Sequence, residues 1–227
     1  HPGGAGGAAR GRNAPGGMIT PGLGCLPHSL LAGVSRETRA LLDRYVALLL
    51  DENDRQNLIG RSTVAEIWDR HIVDSAQLDR FAPRPDSSWL DIGSGAGLPG
   101  LVIAILTEGP VTLVEPRKLR ANFLQRTTET LGLGRRVTVH AAKAERIAGQ
   151  FEVITARAVA SVDSLLRISQ HLSTDKSLWL FPKGKSAQKE LEEARRAWQG
   201  DFRLEPSMTS DEAAILVAAG VRRKGRE

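Results

Sequence analysis

The segment Asp91-Ile-Gly93-Ser-Gly95-Ala-Gly97 constrains this chain more than any other. It follows a short apolar run, Ser88–Ile92, and precedes a helix predicted over Leu98–Leu106. Glycines placed there let the backbone turn sharply and let a ligand approach without meeting a Cβ. A strand, a glycine-rich turn and a helix in that order form the opening of an open α/β sheet, where the carboxyl end of the first strand borders the ligand crevice.

The residues downstream agree with such a sheet. Strands are predicted at Val111–Glu115, Val137–His140, Phe151–Ala156, Ser177–Phe181, Phe202–Glu205 and Ala213–Ala219. Helices are predicted between them at Lys118–Leu131, Val162–His171 and Ala187–Trp198. Alternation of this kind predicts a Rossmann-like α/β fold, a mostly parallel seven-stranded sheet flanked by helices. Upstream, Leu41, Leu42, Tyr45, Val46, Leu48 and Leu49 make an apolar stripe at helical spacing. Thr63-Val-Ala-Glu66 reads as a capping box that opens a second helix running to about Phe81, with Pro83 and Pro85 ending it. Residues 28–86 are therefore expected to form an N-terminal helical extension and residues 87–227 the main domain. Residues 1–27 differ: nine of the first 24 are glycine, a composition that cannot bury a core and predicts a disordered arm.

Two cofactor classes compete for the glycine turn. Gly95-x-Gly97-x-x-Gly100 matches a dinucleotide spacing by count, but Pro99 falls inside it and the strand enters two residues before Gly93. Asp91 separates the classes best. A carboxylate there repels a pyrophosphate and favours the cationic sulfonium and ammonium of S-adenosylmethionine. Glu115 ends the second strand 18 residues after Gly97. Nucleoside-binding folds place an acidic residue near that spacing to hold ribose hydroxyls; the plainer role is a carboxylate at the start of the next helix. Ala144-Glu145 follows the third strand, where this fold passes the adenine.

A net charge of +5 and a pI near 9.8 favour anionic partners, nucleic acid first. The single cysteine, Cys25, excludes an internal disulfide and fits a reducing, cytoplasmic setting. No run approaches the roughly 20 apolar residues of a membrane span. His71 and Asp74 lie on one helix face but lack further ligands at metal-binding spacing, so no metal is expected; they read as a helix-to-sheet contact or as RNA contacts. Gly184-Lys185-Ser186 is not a phosphate loop, because that pattern needs glycine where Trp179 stands.

Several separated motifs together resemble the RsmG/GidB family of bacterial 16S ribosomal RNA guanine-N7 methyltransferases. They are Arg70-His-Ile-Val-Asp-Ser75, Asp91 to Gly100 with its Leu-Pro-Gly ending, Arg157-Ala-Val-Ala160, and Lys183-Gly184. The resemblance covers Leu41 to Val217. It implies a class I S-adenosylmethionine-dependent methyltransferase with cofactor contacts at Gly93, Leu98, Ala144, Glu145 and Arg157, beside Asp91, Gly95, Gly97 and Glu115. It implies methylation at N7 of the guanosine at position 527 of 16S RNA, with that RNA or a small-subunit particle as partner and a monomeric enzyme. The stretch Glu52–Asn57 lacks the aromatic residues often seen in the family, and the glycine-rich arm is not a family feature. Arg157, at the exit of the fourth strand, is expected to touch cofactor or target nucleotide, or else to form a structural ion pair. Lys183, beyond the fifth strand, is expected to meet an RNA phosphate or to be a solvated loop lysine. The other readings of the chain are a methyltransferase of a different substrate, a nicotinamide-dependent oxidoreductase, and a non-catalytic RNA-binding module.

Overall fold

The computed structural model describes residues 28–225, so the glycine-rich arm lies outside the described residues. A single sheet of seven strands organises the chain, in the order β3-β2-β1-β4-β5-β7-β6. The strands are β1 (Trp89–Ile92), β2 (Val111–Val114), β3 (Val137–His140), β4 (Val153–Thr155), β5 (Leu178–Lys183), β6 (Trp198–Pro206) and β7 (Ala214–Arg223). The first five run parallel, and β7 enters antiparallel between β5 and β6. β1 is buried at every position and β4 likewise, as expected of parallel strands covered on both faces.

The helices are α1 (His28–Leu31), α2 (Arg36–Gln56), α3 (Asp74–Ala76), α4 (Gly100–Leu106), α5 (Lys118–Thr130), α6 (Val162–Ser169) and α7 (Ala187–Ala197). α2 forms where the apolar stripe predicts it. Ser35 caps its start by accepting the Thr38 N–H at 3.0 Å, and Asn57 ends it in the left-handed conformation. Leu42, Tyr45, Val46 and Leu49 on its inner face are buried. Each such large side chain contributes about 1.5–3 kcal/mol on burial. Their cluster also takes in Ile72 and Leu78 from the extension, Leu101 and Val102 from α4, and Leu113 and Val217 from the sheet. Extension and sheet therefore share one core. A second cluster packs α6 and α7 against the other face, through Leu165, Leu166, Leu191 and Trp179.

The segment expected to be one capped helix over Thr63–Phe81 is irregular instead. A 3-10 helix (Arg61–Glu66), a π-helical turn (Trp68–Val73), α3 and a second 3-10 helix (Gln77–Phe81) follow one another. The capping box does not form, because the Thr63 hydroxyl donates to the Gly60 carbonyl at 2.8 Å and pairs with His71 at 2.7 Å. At the other end of the chain the last two strands are longer than expected. The predicted helix over Ala187–Trp198 stops at Ala197, since Trp198 is buried at the start of β6 and its indole N–H donates to Asp163 at 2.9 Å.

Candidate functional site

β1 pairs with β2 on one side and with β4 on the other, so the strand order reverses at β1 and a crevice opens beyond the carboxyl ends of these strands. The glycine turn lies in it. Gly93, Gly95 and Gly97 all have positive φ (68°, 53° and 91°). The Gly93 and Ser94 N–H groups donate to the Val114 carbonyl at 2.7 and 3.0 Å, stapling the turn to β2. A cleft of about 420 Å³ opens above it, lined by Gly93, Gly95, Leu98, Glu115, Arg117, Arg120, Arg157 and Val159 among others.

Glu115 is 3% exposed and lines this cleft. Its Oε2 accepts the Gly95 N–H at 2.9 Å and its Oε1 accepts the Arg117 N–H at 2.8 Å. The carboxylate thus organises both the glycine turn and the entry to α5, and each oxygen keeps lone-pair capacity for a further donor. The helix-entry role open for Glu115 in the sequence is present, and the same carboxylate lines the cleft.

Asp91 is placed differently. It is 1% exposed, does not line the cleft, and sits beneath the turn with Oδ2 accepting the Gly100 N–H at 3.1 Å. Gly100 is required for this contact, because a Cβ there would stand 2.6 Å from that oxygen. Oδ1 is buried with no hydrogen-bond partner among the described residues. Burial raises the Asp91 pKa to about 7. Of the remaining expected cofactor residues, Ala144 is buried and Glu145 exposed in a short 3-10 turn beyond β3, and neither lines the cleft.

Arg157 stands at the border of the cleft and is held by the extension. One Nη1 donates to Asp74 Oδ2 at 3.2 Å and to the Arg70 carbonyl at 3.3 Å; Nη2 meets His71 Nδ1 at 2.9 Å. Guanidinium carries donors only, so His71 Nδ1 is the acceptor and the proton resides on Nε2. Nε2 then donates to Thr63 Oγ1, whose own hydrogen goes to Gly60, and the chain of donors is consistent from end to end. Burial, then Arg157 and Arg70, pull the His71 pKa down to about 4 and keep the ring neutral. Asp74 accepts twice more through Oδ1, from Gln77 at 2.9 Å and from Thr209 in the β6–β7 loop at 2.8 Å. The expected helix-to-sheet contact at His71 and Asp74 is present, as is the expected ion pair of Arg157.

Lys183 is not a solvated loop lysine. Its side chain is 9% exposed, and Nζ lies 2.9 Å from Glu190 on α7 and donates to the Ala160 carbonyl at 2.9 Å. The solvated-lysine expectation fails because Glu190 reaches it from α7.

Sequence reasoning missed Tyr45 and Val159. The Tyr45 hydroxyl, fully buried, donates to the Ala96 carbonyl at 2.8 Å and ties α2 to the glycine turn. Its signal is faint: it is the only tyrosine of the chain, set in an otherwise aliphatic stripe. Val159 leans over Gly93, with Cγ2 2.6 Å from where a Gly93 Cβ would stand. Nothing in the sequence shows that contact. No cluster of three or more His, Cys, Asp or Glu able to hold a metal ion occurs among the described residues, and no described helix is long and apolar enough to cross a membrane.

Residues 38–214 match the model of the family described as GidB, rRNA small subunit methyltransferase G. The chain belongs to that family. A ribosomal RNA small subunit methyltransferase G from Zymomonas mobilis is 49% identical over 201 residues, covering 85% of this chain and 90% of the relative. One from Rhizorhabdus wittichii is 50% identical over 196 residues, with the same coverage. Among solved structures, the Pyrococcus horikoshii TYW2 in complex with MeSAdo aligns with a TM-score of 0.52 at 12% identity, covering 73% of this chain and 63% of that one. The Escherichia coli putative methyltransferase yhhF aligns at 0.51 and 16% identity, covering 68% and 87%. The fold is that of the class I S-adenosylmethionine-dependent methyltransferases.

Proposed function

We infer that this GidB-family chain transfers the methyl group of S-adenosylmethionine to N7 of guanosine 527 in 16S ribosomal RNA. The observation that carries the reading is the coincidence of the family match with a glycine-lined cleft at the carboxyl ends of β1, β2 and β4, bordered by Glu115. The residues there suit the methyl donor. Glu115 offers a carboxylate with spare lone pairs to ribose hydroxyls, and Gly93 and Gly95 give close backbone approach beside Leu98, while Gly97 makes room for Leu101 of α4. Ala144 and Glu145 stand beyond β3 on the side expected for adenine. Asp91 acts from beneath, setting the turn through Gly100 and adding a buried carboxyl group under it.

Bound S-adenosylmethionine supplies a methyl carbon whose bond to sulfur breaks as the N7 lone pair bonds to it, the electron pair leaving with the neutral thioether and the positive charge passing to the purine ring. Guanine N7 carries no proton, so the chain needs no general base. Its work is to position two partners and to exclude water between them. Glu115 holds the turn to α5, Tyr45 holds it to α2, and Arg157 is aimed by three acceptors of the extension. Arg117 and Arg120 line the cleft and give it positive charge toward an RNA backbone.

The test is transfer of label from methyl-labelled S-adenosylmethionine to undermethylated small-subunit particles and to naked 16S RNA, followed by mapping of the labelled nucleotide. Label on a single guanine N7 is expected from at least one substrate. No transfer to either, with cofactor bound, would overturn the reading.

A further inference from the structure

Arg157 and Ala158 line two cavities at once. One is the 420 Å³ cleft of the glycine turn; the other, of 540 Å³, is walled by the extension, the end of β5 and the β6–β7 loop. We infer that this second cavity receives the target guanine, turned out of the RNA, and that the extension and the β6–β7 loop are its specificity walls. The inference rests on the methyl-transfer reading above and adds the place of the acceptor base.

Four observations support it. First, proximity: the two cavities share Arg157 and Ala158 as lining residues, so a base in one lies beside the cleft that holds the methyl donor. Second, size: 540 Å³ falls within the range of about 300–1,000 Å³ typical of small-molecule sites. Third, composition. Ala158, Ala160, Pro182 and Ile215 give apolar surfaces for the faces of a flipped base, and Asp74 Oδ2, which accepts only from Arg157, keeps a lone pair for its edge. That oxygen accepts from an N–H on the guanine edge, whereas adenine presents a bare N1 acceptor to it. Fourth, rigidity. Gln77 Oε1 accepts the Met208 N–H at 2.9 Å, its Nε2 donates to Ser207 at 3.2 Å, and Thr209 donates to Asp74 at 2.8 Å. The two walls are thereby locked together before any RNA arrives.

The neighbouring cavity of 640 Å³ is a poorer candidate. It shares no residue with the cofactor cleft, and Glu66, Asp69, Asp74 and Glu212 give it four carboxylates against Arg70 and Lys185. That balance repels a nucleotide phosphate.

The test fills the cavity from its far side. Ser186 lines this cavity and neither of the other two, so Ser186→Leu adds bulk to this wall alone. Ala214→Leu, at the start of β7, adds bulk at a second position that lines this cavity alone. Neither residue lines the cofactor cleft. For both variants, S-adenosylmethionine affinity by calorimetry should stay within about twofold of wild type while kcat/KM for 16S RNA methylation falls more than about tenfold. In parallel, 16S RNA carrying 6-thioguanosine at the methylated position, irradiated with the wild-type protein, should crosslink to peptides containing residues 157–160, 182–186 or 207–215. Wild-type methylation by either filled variant, an equal loss of cofactor affinity, or crosslinks confined to other peptides would each overturn the assignment. Failure of the wild-type protein to methylate would instead overturn the underlying reading.

Discussion

Asp91 and His71 are both buried, and their pKa values are displaced in opposite directions, to about 7 and about 4. In the unfolded chain they return to about 3.9 and 6.5. Between pH 4 and 7 the native state therefore holds a proton on Asp91 that the unfolded state has lost, so this group removes stability as pH rises. Between pH 4 and 6.5 the unfolded state holds a proton on His71 that the native state rejects, so this group adds stability as pH rises and withdraws it on acidification. Each contributes a slope of roughly 1 kcal/mol per pH unit, and over the shared window the two slopes oppose one another. Single variants separate them. Asp91→Asn keeps an acceptor for the Gly100 N–H but cannot titrate, so its stability relative to wild type should rise by roughly 1 kcal/mol per pH unit from pH 4.5 to 6.5. His71→Asn should show the reverse trend over the same range. Urea unfolding at pH 4.5, 5.5 and 6.5 measures both, each variant being compared with wild type so that all other titrating groups cancel. A difference between Asp91→Asn and wild type that does not change with pH would refute the reasoning, because a carboxyl group sharing its unfolded pKa cannot link folding to protons.

Three further outcomes are expected. Gly93→Ala meets Val159 and must hold a φ of 68°, so it should lose cofactor affinity, and Val159→Ala in the same chain should restore part of it; Gly93→Asp should abolish binding, and an unchanged dissociation constant would show that the turn is not the cofactor site. Tyr45→Phe leaves the Ala96 carbonyl without its buried donor and should cost about 1–3 kcal/mol in urea unfolding, with a loss below about 0.5 kcal/mol counting against the tie. RNA affinity should fall with rising salt, and Arg117→Ala and Arg120→Ala should each reduce the slope of log K against log salt by about 1; a slope unchanged in both would remove α5 from the RNA interface.

The fold was legible where pattern is local. Apolar runs of strand length alternating with helical stripes place all seven strands, and the glycines after β1 place the cleft. The extension was legible only in α2, whose caps and stripe sit in adjacent residues. Residues 61–81 were not, because the Thr63 hydroxyl that looks like a helix cap is claimed by Gly60 and by His71, and His71 is in turn held by Arg157 from the far side of the sequence. The same holds at the site. Glu115 was readable from its distance to the glycines. Asp91 was recognised as important, but its position under the turn depends on Gly100 leaving room for its carboxylate. The ion pair of Lys183 was not legible, because its partner Glu190 lies on α7 and leaves no mark in the residues beside Lys183.

The strand order carries a consequence for damage to the gene. β7 is made after every other element of the sheet, yet it lies inside the sheet, hydrogen-bonded to β5 along Leu178–Lys183 and to β6 from Trp198 to Pro206. A stop codon just ahead of Ala214 would not trim an outer strand. It would leave β5 with a bare edge, strand β6 without a sheet to join, and Leu216, Val217 and Ala218 missing from the two cores they bridge. A lesion that removes β7 is expected to act as a null allele, and the sheet cannot close until the ribosome has made β7.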